Sequence, residues 1–122
     1  MAEPLNLTVS LRGTREVKEK HQIIHLTGLL DAFSELTVRK VIGACLEEGP
    51  HHLILELSEI SFIDSSGIGA LVQLVKKAQD AGGSLQIVTS PRVTQTVKLA
   101  RLEKFLSLQP DIQAAEQRLS LN

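Results

Sequence analysis

An α/β fold, with a mixed β-sheet entered through an N-terminal hairpin and covered by helices, is predicted by three features of this sequence. Apolar and polar residues alternate near the N-terminus, the period of a strand with one buried face. From Ser34 onward, stretches with helical spacing alternate with short apolar runs, as in repeating helix–strand units. The changes of period coincide with turn or cap signals: Gly49-Pro50, Asp64-Ser65-Ser66-Gly67, Gly82-Gly83 and Ser90-Pro91.

Leu5, Leu7, Val9 and Leu11 alternate with Asn6, Thr8 and Ser10 and predict the first strand. Residues 14–17 either continue it past a bend at Gly13-Thr14 or form a strand of their own. Lys18-Glu19-Lys20 is a polar turn, and residues 22–26, centred on Ile23 and Ile24, are the strand that completes the hairpin. Ser34 is placed to N-cap a helix reaching Glu48, with Val38, Val41, Ile42, Cys45 and Leu46 on one stripe and Gly49-Pro50 as its stop. Leu53-Ile54-Leu55-Glu56-Leu57 is a largely apolar strand suited to the middle of a covered sheet. Ile68, Leu71, Val72, Val75 and Ala78 mark a second helix ending at Gly82-Gly83, and residues 85–88 a further strand. Ser90-Pro91 opens a third helix to about Leu99. Residues 105–108 predict a final short strand at a sheet edge, and Asp111 caps a last helix carrying Ile112, Ala115 and Leu119.

Composition narrows the function. With 122 residues, 43% of them hydrophobic and 22% charged, the chain is sized and composed as one globular domain. Thirteen basic and fourteen acidic residues give a formal net charge of −1 with no basic block, so charge makes no case for nucleic acid or an anionic membrane. Phe33, Phe62 and Phe105 are the only aromatics, too few for base-stacking platforms. A single cysteine, Cys45, excludes an internal disulfide and fits a reducing compartment. No basic N-terminal region precedes an apolar stretch, and no apolar run approaches the roughly 20 residues of a membrane span, so a cytoplasmic protein is expected.

The chemistry concentrates at Phe62-Ile63-Asp64-Ser65-Ser66-Gly67-Ile68-Gly69, where a strand gives way to a helix. Unpaired N–H groups and the helix dipole favour an anion there, and a hydroxyl at such a point can cap, attack or accept a phosphate. Capping alone would account for Asp and Ser, the commonest N-caps. Two serines and two glycines exceed what a cap requires, and the glycines leave the hydroxyls accessible. The segment lacks the leading glycine of a G-x-S-x-G elbow, and His21, His25, His51 and His52 form no triad pattern with it. His51 and His52, adjacent on a strand, point to opposite faces and make a poor metal pair. Cys45 lies on an apolar stripe and reads as core. Gly67-Ile68-Gly69 and Gly82-Gly83 make neither a Walker loop nor a dinucleotide loop, and no cofactor is expected. Thr27-Gly28-Leu29-Leu30-Asp31 leads from the hairpin to the first helix. It is either a plain turn with a solvated Asp31 or a second loop that sets a carboxylate beside the serines.

Leu26-Thr27-Gly28-Leu29-Leu30-Asp31, Leu53-Ile54-Leu55-Glu56-Leu57 and Phe62-Ile63-Asp64-Ser65-Ser66-Gly67-Ile68-Gly69 resemble, in order, the characteristic blocks of STAS domains. More narrowly they are similar to those of bacterial anti-sigma factor antagonists. The resemblance extends from about Leu11 to Leu108. It implies a single domain over residues 1–122, with a core over about 11–108, a C-terminal helix over about 111–121, and a mixed sheet of four or five strands covered by about four helices. It further implies a monomer or weak dimer that is not an enzyme. Unmodified, such a protein captures an anti-sigma factor that is also a serine kinase; phosphorylation weakens capture and a PP2C-type phosphatase reverses it. The matching acceptor is Ser65, with Ser66 second, and the implied partner surface comprises Asp31, Asp64, Ser65, Ser66, Gly67, Ile68 and Gly69. Two residues before Asp31 this chain has Leu29 where many family members carry an acid, which makes the loop less acidic. The alternative is a scaffold or small-ligand module, as in STAS domains of other signalling and transport assemblies.

Overall fold

The computed structural model describes residues 2–119. Its elements follow as β1 (Ala2–Thr8), β2 (Leu11–Val17), β3 (Gln22–Leu30), α1 (Glu35–Glu48), β4 (His52–Ile63), α2 (Ser65–Asp80), β5 (Ser84–Val88), α3 (Pro91–Leu99), β6 (Leu108–Gln109) and α4 (Ile112–Arg118). The strands form one six-stranded sheet in sequence order. β1, β2 and β3 pair antiparallel, and β3 to β6 pair parallel. The sheet is mixed, as the sequence predicts, with one strand more than the four or five expected.

The extra strand comes from a turn hidden inside an alternating pattern. Thr8 faces Leu11 across Val9 and Ser10, and Val9 stands fully exposed at the tip. Val9 thus continues the apolar alternation without being buried. β2 then runs through Gly13-Thr14 to Val17, so the N-terminal region holds two successive hairpins.

Period-two alternation divides the central strands between two cores. Ile24, Leu26, Leu53, Leu55, Leu85 and Ile87 face the main core with residues of α1, α2 and α3. Ile23, Ile54 and Val88 point the other way and meet Ala115 and Leu119 at α4. Strands covered on both faces read as continuous apolar runs, which is why β3, β4 and β5 are legible as such. Asp111 caps α4, its Oδ1 accepting from Ala114 N at 2.8 Å. The helix was expected over 111–121; it spans Ile112–Arg118, and residues 120 and 121 lie outside the described part. The strand expected over 105–108 shortens to Leu108–Gln109, because Leu102 O accepts from both Phe105 N and Leu106 N and holds that stretch in a turn.

A buried polar knot fastens the end of α1 to the sheet. Arg15, only 6% exposed, donates to Gln22 Oε1 (2.8 Å), Glu48 Oε1 (3.1 Å) and Gly49 O (3.4 Å). Gln22 Nε2 donates to Cys45 O (2.9 Å) and Pro50 O (2.7 Å). A buried guanidinium is tolerable when its donors are engaged in this way. Cys45 sits beside the knot with its thiol pKa raised, chiefly by burial, so it stays protonated and serves as core.

Candidate functional site

β4 is longer than the apolar run that announces it. Two irregularities in its pairing with β3, after His25 and after Gly28, let Leu57, Ile60 and Ile63 all turn into the core at every third residue. The strand therefore carries the chain to Ile63, opposite Leu30 at the end of β3. Asp64 N donates to Leu30 O (3.4 Å), which sets the β3–α1 turn and the β4–α2 junction side by side.

Asp64 joins the two loops with one carboxylate. Its Oδ1 accepts from Gly67 N (3.0 Å) and caps α2, while its Oδ2 accepts from Ala32 N (3.3 Å) in the neighbouring turn. Gly67 is required by space: a Cβ there would overlap Leu30 O and stand 3.0 Å from Ile63 Cγ1. Asp64→Ala removes both bonds and should cost about 1–2 kcal/mol. Asp64→Asn keeps an oxygen for the cap and should lose less; thermal unfolding of the two variants checks the order.

Asp31 is engaged as well. Its Oδ1 accepts from Phe33 N (3.1 Å) and Ser34 N (3.2 Å), an Asx arrangement that starts the turn into α1. Ser34, expected as the N-cap of α1, does not cap it with its side chain. Its buried hydroxyl instead donates to Leu29 O (3.0 Å) and accepts from Asp31 N (3.0 Å), so it closes the loop backwards.

The serines differ. Ser65, the first residue of α2, is exposed, and its hydroxyl has no hydrogen-bond partner among the described residues because Asp64 does the capping. Ser66 is half-buried and lines a hollow of about 260 Å³ with Glu35, Arg39, Gly69 and Gln73. Arg39 Nε donates to Glu35 Oε2 at 2.9 Å on its wall. Of the residues expected at a partner surface, Asp31, Asp64, Ser65, Ser66 and Gly69 reach solvent in part or in full, whereas Gly67 and Ile68 are turned inward.

Sequence reasoning did not single out the apolar residues around this loop pair. Phe33 is 93% exposed in the β3–α1 turn, Phe62 46% exposed beside Leu29 at the end of β4, and Leu36 half-exposed on α1. Phe33, a large apolar residue in the short loop between Asp31 and Ser34, is the one signal that could have shown this.

The STAS domain model matches residues 14–115, and the chain belongs to that family. It is 26% identical over 106 residues to the anti-sigma F factor antagonist of Paenibacillus polymyxa, covering 85% of this chain and 87% of that protein. Among solved structures it resembles an anti-sigma factor antagonist from Mycobacterium paratuberculosis (TM-score 0.79, 22% identity, 88% of this chain and 92% of that one). It also resembles the Bacillus cell fate determinant SpoIIAA in its phosphorylated form (TM-score 0.65, 21% identity, 86% of this chain and 97% of that one).

Proposed function

We propose that this protein is an anti-sigma factor antagonist switched by phosphorylation of Ser65. Unmodified, it captures an anti-sigma factor that is also its serine kinase and so releases the sigma factor; a PP2C-type phosphatase restores the capturing form. It acts in the cytoplasm as a monomer or weak dimer and contributes no catalytic group. The observation that carries this reading is the exposed Ser65 hydroxyl, left unpartnered by a neighbour that already caps the helix. The fold does not need that hydroxyl. The exposed Phe33, Leu36 and Phe62 supply the apolar anchors a protein partner requires. A relative bearing the antagonist name over most of this chain's length supports the class.

A phosphate on Ser65 adds about −1.5 to −2 charges at neutral pH. At the first turn of a helix such a charge is favoured locally, so the fold is kept. Asp31 and Asp64 lie in the same pair of loops, and the added charge makes that surface repel an apolar or acidic partner face.

The test is phosphopeptide mapping after incubation with ATP and the anti-sigma kinase of the host. Phosphate is expected on Ser65, and Ser65→Ala should remain folded and bind the kinase with or without ATP. Labelling confined to Ser66 overturns the assignment to Ser65, and no labelling with intact binding removes the switch.

A further inference from the structure

A second concave surface lies away from the serines, along α3. A trough of about 630 Å³ runs between that helix and Pro110, in the range of small-molecule sites. Its helical wall is the outward stripe of α3, from Pro91 through Thr94 and Lys98 to Leu99, about 12 Å long at the helical rise. The inward stripe, Val93 and Val97, is committed to the core. Leu99, 79% exposed, closes one end.

Several polar atoms of the floor are already engaged. Thr89 Oγ1 shares a hydrogen bond with Thr94 Oγ1 (2.9 Å) and donates to Ser90 O (3.1 Å), and Ser90 Oγ accepts from Val93 N (3.3 Å). Gln95, Lys98 and the Ser90 hydroxyl proton are without side-chain partners among the described residues, and Lys98 is the sole charge lining the trough. An adjoining hollow of about 490 Å³ shares Ser90, Pro91 and Gln95, and its only charge is Arg92. No carboxylate lines either surface.

We propose that this trough binds a single-chain anionic amphiphile, a fatty carboxylate or an alkyl phosphate, with its hydrocarbon tail along α3 and its head at Lys98. The site is separate from Ser65, and the proposal stands or falls independently of the switch.

The probe is dodecanoate below its micellar concentration, titrated into the isotope-labelled full chain and followed by amide chemical shifts. Saturable shifts are expected at Thr94, Gln95, Lys98 and Leu99, with those of Ser65 and Gly69 unmoved. Lys98→Ala should weaken binding about fivefold, the scale of one exposed ion pair. Leu99→Asp, which sets a carboxylate on the apolar wall, should weaken it about tenfold. Both side chains are exposed, so both variants should fold, which circular dichroism checks. Dodecyltrimethylammonium, with the same tail and opposite charge, should bind more weakly than dodecanoate. Absence of saturable shifts, equal binding of the cationic probe, or binding only to phosphatidylglycerol vesicles would each overturn the proposal.

Discussion

Gly67→Ala should destabilise the protein by about 3 kcal/mol, the upper part of the range for forcing atoms into a filled site. The added methyl meets the Leu30 carbonyl and the Ile63 side chain, and the carbonyl belongs to backbone that cannot move without disturbing β3. Gly69, two residues on in the same helix, predicts the opposite sign. A Cβ there has nothing within 4 Å, so Gly69→Ala should gain about 0.5–1 kcal/mol from helix propensity. Urea unfolding of the two variants tests the pair, and equal midpoints would show that the contact at Leu30 is not limiting. Gly69→Arg should keep the fold while weakening capture of the proposed partner, because it fills the hollow that Ser66 lines. Unchanged affinity in calorimetry would take this helix start out of the interface.

Phosphorylation of Ser65 should produce the largest change in partner affinity, and Ser65→Asp a partial copy of it, since one charge replaces up to two. A loss of about tenfold is expected for the aspartate, the scale of a like charge at a partly desolvated contact. Asp31→Asn in the same background should recover part of the loss if repulsion is responsible. Asparagine keeps the Oδ1 that Phe33 N and Ser34 N bond, so the turn persists while the charge goes. If Asp31 instead touches the partner, Asp31→Asn alone weakens binding. A double-mutant cycle separates the two outcomes.

Where local pattern and tertiary demand agreed, the sequence was sufficient. The Asp111 and Ser90-Pro91 caps, the Gly49 stop and the central apolar strands all lie where their residues place them. The misreadings share a physical cause, an unusual backbone under an ordinary pattern. Val9 keeps the strand period while sitting in a turn. Leu57, Ile60 and Ile63 break that period because the pairing with β3 slips twice, which concealed half of β4. Ser34 holds the N-cap position, but its backbone is already helical (φ −100°, ψ −16°) and its hydroxyl turns back to Leu29 O. At the site, Asp64-Ser65-Ser66-Gly67 was legible as a motif. The bridge from Asp64 to Ala32 was not, since it joins residues 32 apart in the chain.

The sheet has two unlike margins. One is β6, only two residues long; the other is β1, which carries Pro4 opposite Thr14. An unpaired strand invites another chain to extend the ladder, and brevity or a missing N–H makes that extension poor. Both margins are therefore poor templates for edge-to-edge pairing between copies. Under the proposed function that property matters, since every copy lost to polymer would be one fewer to capture a partner.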